Sequence, residues 1–194
     1  MARHADQGLV DWVESGGGPL VVVPAEALTR WEGADSEGPE SDYDRACAVV
    51  GFTGLLAVGP SHVLVLGDEP SSTAFLPEYG AFVRWVAAES EAELLGSVGA
   101  ALEDAAWEDG QVWDVPGPVV LFDAARPGSQ VEPDNHARVD LAAGRYEVRA
   151  ALVQPNPETA FHLVRLVPLA ALVPLAALVP LVPLVQFTQP LRSR

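Results

Sequence analysis

Leu64–Leu95, LVLGDEPSSTAFLPEYGAFVRWVAAESEAELL, holds the strand, the charged turn and the helix start around which the rest of the chain is read. Val63 to Leu66 is an uninterrupted apolar run that Gly67 stops. Asp68-Glu69-Pro70 then sets two carboxylates where Pro70 disfavours a helix and favours an extended bend. Phe82-Val83-Arg84-Trp85-Val86 resumes as a second strand, and Ser90-Glu91-Ala92-Glu93 has the spacing of a capping box that opens a helix. The local plan is strand, acidic turn, strand, helix.

Toward the N-terminus, Leu9 to Ser15 reads as a short strand, and Gly16-Gly17-Gly18-Pro19 turns the chain into Leu20-Val21-Val22-Val23, a strand buried on both faces. A short helix near 25–31 follows Pro24, with Glu26 in its first turn and Arg30 in its last, as the helix dipole favours. Asp44–Val50, Leu55–Gly59 and His62–Leu66 are spaced as three antiparallel strands, a meander closed by Gly59-Pro60-Ser61. Toward the C-terminus, one main helix is expected over about 90–107, with Ala92, Leu95, Val98, Leu102 and Ala106 as its apolar stripe. Gln111–Val115 and Pro118–Phe122 form strands around Pro116-Gly117, a polar loop runs from Asp123 to Arg138, and strands resume over Arg145–Val153 and Thr159–Leu166. The class is α+β: a mainly antiparallel, strand-rich sheet with the main helix packed on it.

Three regions are expected: a frayed terminus at 1–8, a single domain over 9–165 and a low-complexity tail at 166–194. In the tail, Leu166-Val-Pro-Leu-Ala-Ala171 is repeated as Leu172 to Ala177 and decays into Leu178 to Pro183. Twenty uncharged residues between Arg165 and Gln186 have the length of a membrane span. Pro168, Pro174, Pro180 and Pro183 argue against one, because each removes a backbone donor that hydrocarbon cannot replace.

With 194 residues of which 49% are hydrophobic, the chain can bury a substantial core. Its 27 acids against 11 bases give a formal charge of −16, which disfavours binding to a nucleic acid backbone and attracts basic proteins. All the bases are Arg, in keeping with a GC-rich bacterial genome. The lone Cys47 has no partner for an internal disulfide, and no signal peptide opens the chain, so a cytoplasmic location is expected.

The chemistry these residues support is limited. Cys47 lies in an apolar run and reads as core. His4, His62, His136 and His162 lack the short spacing of a metal site, and no cofactor is expected. Gly16-Gly17-Gly18 lacks the context of a phosphate loop. Trp12, Trp31, Trp85, Trp107 and Trp113 read mainly as core aromatics, one or two being available as interface anchors.

The order Gly67-Asp68-Glu69-Pro70, a Thr-x-x-Leu-Pro segment, Phe82-Val83-Arg84-Trp85 and an acidic helix start resembles the Immunity protein 21 family. Three further segments carry the same resemblance: Trp12 to Leu20, Asp42-Tyr43-Asp44-Arg45-Ala46-Cys47-Ala48-Val49, and Gly144-Arg145-Tyr146-Glu147-Val148. It extends over roughly 10–165. The resemblance implies an antidote of a bacterial polymorphic toxin system, which binds one cognate toxin and occludes its active site; it implies no catalytic residues.

For the binding surface, clustered carboxylates are the expectation: Glu32, Asp35, Glu37, Glu40, Asp42 and Asp44, a stretch without a base, together with Asp68 and Glu69. Such clusters suit a basic partner, for example a nuclease cleft, although an acidic Gly- and Pro-containing stretch is also what a solvated loop looks like. Two alternatives belong to other classes. One is a small hydrolase using Asp68, Glu69 and His62; the other is a membrane-tethered structural protein resting on the tail.

Overall fold

The computed structural model describes residues 10–36, 38–67 and 70–170. Among these residues ten strands form two five-stranded sheets in which every pairing is antiparallel. Sheet I contains β1 (Leu20–Pro24), β2 (Gly54–Val58), β3 (Ser61–Leu66), β7 (Val119–Asp123) and β8 (Ala137–Val139), in the order β2-β3-β1-β7-β8. Sheet II contains β4 (Thr73–Leu76), β5 (Ala81–Ala87), β6 (Gln111–Val115), β9 (Gly144–Asn156) and β10 (Thr159–Leu169), in the order β4-β5-β10-β9-β6. Helices are few: α1 (Asp42–Cys47) and α2 (Glu91–Asp104), with a 3-10 helix over Ala25–Arg30 and shorter 3-10 turns at Gly33–Asp35 and Gly128–Gln130. The α+β class and the antiparallel pairing are as expected; the strands are divided between two sheets, where a single one was anticipated.

Alternation along the strands explains the layers. Leu20, Val22, Leu64, Leu66, Val119 and Leu121 of sheet I meet Phe82, Trp113, Val148, Val164 and Leu166 of sheet II in one core. The intervening residues Val21, Val23, Val63, Val65, Val120 and Phe122 point the other way and pack under Ala27, Trp31 and Ala46. On the far side of sheet II, Val83, Phe161 and Leu163 pack against Leu94, Val98, Ala101 and Leu102 of α2. Side chains in a strand alternate in facing, so a strand apolar at every position must be covered on both sides. Hence the Val-rich β1 and β3 need two cores, and the fold supplies helix, sheet, sheet and helix as successive layers.

Several boundaries differ from expectation. The segment from Asp42 is a helix, because Ser41 and Asp44 form a capping box: the Asp44 amide donates to Ser41 Oγ (3.0 Å) and the Ser41 amide to Asp44 Oδ2 (3.1 Å). Cys47 therefore ends a helix, half-buried, and does not lie in a strand. In α2, Ser90 caps the Glu93 amide at 3.2 Å, which is one half of the expected box, while the Glu93 carboxylate accepts from Thr159; the helix stops at Asp104 and its buried stripe is Leu94, Val98, Ala101 and Leu102. Ala92 and Ala106 are exposed. The short N-terminal strand is reduced to a single bridge, Val13 to Thr73. Strands form on both sides of Pro116-Gly117 as expected, and that turn carries the chain from β6 in sheet II to β7 in sheet I.

The end of β10 crosses the expected boundary of the tail. Pro168 and Leu169 still pair with Tyr146 and Arg145, and Leu166 is 4% exposed within the central core. The Leu166 amide also donates to Gly80 O at 2.9 Å. Residues 171–194, which hold the later repeat units, lie outside the described residues, as do 1–9. Among the described residues no helix is long and apolar enough to cross a membrane.

Candidate functional site

The acidic stretch from Glu32 is held as a compact loop. Trp31, 1% exposed, donates its indole N–H to Ala124 O (3.0 Å) at the end of β7, which fastens the loop's entrance to sheet I. Gly33, at φ 60°, lies so close to the backbone of Ala125 that a Cβ would stand 2.5 Å from the carbonyl oxygen. Only glycine fits there, on both sterics and backbone conformation. The loop closes on itself where the Glu32 amide donates to Asp42 Oδ2 (2.9 Å) and the Asp42 amide to Ser36 Oγ (2.9 Å).

The expected carboxylates accordingly divide into two kinds. Glu32, Asp35 and Glu40 have exposed side chains on this anchored loop. Asp42 is half-buried and bound to Arg45 at 2.9 Å, and Arg45 also donates to Ala57 O (2.8 Å), tying α1 to the edge strand β2. Asp44 caps α1 while remaining exposed, and the Ser41 hydroxyl and amide hold its carboxyl below the usual carboxylate range. Glu37, Asp68 and Glu69 lie outside the described residues.

His62 is exposed at the start of β3, five residues before Gly67. At a rise of about 3.3 Å per residue those positions are roughly 16 Å apart. Among the described residues no group of three His, Cys, Asp or Glu side chains is placed to hold a metal.

A second feature, which sequence reasoning missed, lies where sheet II outruns sheet I. Strands β9 and β10 are 13 and 11 residues long, against 5 for β1 and 6 for β3. The hairpin end of sheet II therefore projects beyond its cover. Arg84, His162 and Leu152 are cross-strand neighbours in this overhang, since His162 pairs with Arg84 on β5 and with Leu152 on β9. They continue the row that faces sheet I, as Phe82, Val164 and Ala150 do two residues earlier or later along each strand.

Here the inner face is only partly covered. Phe52, from the loop between α1 and β2, packs on the His162 ring with centroids 4.6 Å apart. Gly67, at φ 58°, brings the chain across from sheet I, and a Cβ there would lie 3.0 Å from Arg84 Nη1 and 3.3 Å from Phe52 O. What remains is a groove of about 460 Å³ lined by Phe52, Pro70, Ser71, Trp85, Val86, Leu152 and His162. Val86 and Leu152 are 49% and 51% exposed at it.

Arg84 and His162 are 1% and 7% exposed. Burial, and then the positive charge of Arg84, lower the His162 pKa to about 4, so the ring is neutral at physiological pH. Its Nδ1 is buried without a hydrogen-bond partner among the described residues. The groove thus offers an apolar wall over a neutral imidazole. The signal in the sequence was the polar pair Arg84 and His162 at inward positions of otherwise apolar strands.

Of the five tryptophans, Trp31 and Trp113 are fully buried. Trp12, Trp85 and Trp107 are half-buried around α2, with Trp12 and Trp85 in edge-to-face contact at 5.4 Å.

The family model described as Immunity protein 21 matches residues 11–159 of the chain. That span includes the acidic loop, the Gly67-to-Pro70 crossing and the groove residues of β5 and β9, and ends at the first residue of β10. Among curated proteins and among solved structures, nothing matches.

Proposed function

Because this chain belongs to the Immunity protein 21 family, we propose that it is the antidote of a polymorphic toxin system, binding one cognate toxin domain and occluding its active site. Family membership is the observation that carries the reading. The formal charge of −16 supports a basic partner, such as a nuclease whose cleft must hold phosphates. On this reading the protein works in the cytoplasm, performs no catalysis itself and needs no cofactor.

The anchored acidic loop suits the electrostatic part of such a contact. Glu32, Asp35 and Glu40 project from a backbone fixed by Trp31, Gly33 and Asp42, so their ordering costs little on binding. Glu37, Asp68 and Glu69 extend the set of carboxylates proposed to meet the toxin. Asp42 and Asp44 belong to it too, with the added task of holding α1 in place.

On this reading the chain's gene lies beside one for a large secreted protein that ends in a toxin domain, and the test uses that domain. Co-production of the chain should restore growth to cells making that domain. Replacing Glu32, Asp35 and Glu40 by their amides should slow association and flatten its salt dependence, leaving dissociation nearly unchanged, as rim charges do. Salt dependence identical to that of the unaltered chain would place the interface elsewhere.

A further inference from the structure

We infer that the groove at the overhanging end of sheet II is where the toxin inserts an apolar side chain carried on its basic face. This rests on the immunity reading and names a surface for it. The overhang follows from strand length: with β9 and β10 twice as long as β1 and β3, sheet I cannot cover the inner face at Leu152 and His162. The two loops that reach over it, at Phe52 and at Pro70-Ser71, leave Val86 and Leu152 about half exposed.

Chemistry selects the kind of side chain. Apart from Ser71 and the neutral His162 the described lining carries apolar and aromatic side chains, so a charged group entering it would lose its water without a counter-charge among the described lining residues. An apolar group loses nothing and gains the burial of Val86, Leu152 and the Phe52 ring. The volume of about 460 Å³ accepts one large aliphatic or aromatic side chain with part of its backbone. A central apolar anchor surrounded by polar contacts is the usual organisation of a tight interface.

Charge selects the source. A second copy of the chain would bring another −16, and the repulsion would oppose docking at short range. A toxin with a basic face meets attraction instead. Gly67 and Pro70 both border the groove region, Gly67 against Phe52 and Arg84 and Pro70 in the lining. From α1, moreover, the chain passes through Val50, 95% exposed, to Phe52 on the groove wall, which joins the acidic loop's helix to the groove by only a few residues.

The experiment measures binding of the neighbouring toxin domain by the full chain and by Val86→Asp, Leu152→Asp and Val112→Asp variants. Val112 is also apolar and 45% exposed, but it lies on β6 outside the groove lining and serves as the control. Val86→Asp and Leu152→Asp should each weaken binding by about 30-fold or more, as loss of an interface anchor does, with Val112→Asp close to the unaltered chain. If either groove variant loses its cooperative melting transition, Val86→Ser and Leu152→Ser replace it. Hydrogen exchange of the unaltered complex, which needs no variant, should show slowed amides at Gly51–Thr53 and Ser71–Ser72.

An unaltered chain that does not bind the toxin domain removes the immunity reading. Tight binding that survives both groove substitutions, or protection that spares these loops, overturns the groove alone. So does a chain that dimerises by itself and becomes monomeric on Leu152→Asp, because its occupant is then a second copy.

Discussion

His162 is held neutral by its surroundings, and this has a measurable consequence for stability. Its pKa in the folded chain is about 4 against 6.5 in an unfolded one. Between those values the unfolded chain binds a proton that the folded chain does not, so stability contributed by the neutral ring is present above about pH 6.5 and lost as pH falls toward 4. The loss approaches roughly 3 kcal/mol. A His162→Leu chain should lack this component, and denaturant unfolding at pH 7 and pH 4.5 would show a smaller difference than for the unaltered chain. Equal differences would mean that the ring protonates as freely when folded as when unfolded. Cys47 is a contrasting case, since it lies one turn along α1 from Tyr43 and is the largest cause of the raised Tyr43 pKa. It remains only half-buried. Cys47→Ala should cost about 1 kcal/mol or less in chemical denaturation and leave toxin protection intact. Abolished protection in a stably folded variant would give the thiol a role this account does not.

At the scale of elements, the cap and the strand end carry the clearest expectations. Ser90 satisfies an orphan amide at the start of α2, and Ser90→Ala should lower stability by about 1 kcal/mol in the same assay. No change would mean that the first turn is held elsewhere, for example by Glu93, whose carboxylate accepts from Thr159 at the start of β10 and has its pKa lowered chiefly by that bond. The repeat tail divides differently from its composition. A chain ending after Arg165 loses Leu166 from the core and its hydrogen bond to Gly80, which should cost about 2–5 kcal/mol, whereas one ending after Ala170 keeps all of β10. Melting temperatures of the two truncations test this, and equal values would show that the strand end contributes nothing. These elements also show what local pattern conveys. Strand positions were legible for β3, β5 and β7 as short, mainly apolar runs bounded by Gly, Pro or charge, and for β9 because Tyr146, Val148 and Ala150 alternate with Glu147 and Arg149. Helix α1 was not, because Ala46-Cys47-Ala48-Val49-Val50 has an apolar run's look and the Ser41-x-x-Asp44 cap decides it from outside the run. In α2, small Ala residues on every face left the stripe ambiguous by one position, and Leu94 settles it only by packing on Phe161 and Leu163.

At the scale of the whole molecule, the division into two sheets was the least legible property. Alternation tells which residues share a face of a strand but not which strand lies opposite, and the three crossings between sheets, at Gly67 to Pro70, at Pro116-Gly117 and between Val139 and Gly144, read as ordinary turns or loops. The groove was hidden for the same reason, since it exists only because long strands of one sheet pass beyond short strands of the other. The acidic loop, in contrast, was legible from composition alone, and folding adds its anchoring through Trp31 and Gly33. Function enters at this scale through family membership and net charge together, and both converge on one prediction: the chain recognises a basic toxin domain. Isothermal titration of the full chain with the toxin domain encoded beside it, repeated from roughly 0.05 to 0.5 M ionic strength, tests that most directly. One-to-one binding with a dissociation constant of about 10 nM or less is expected at the lower salt, weakening as salt rises. Absence of binding at any ionic strength, with both proteins folded, would contradict it.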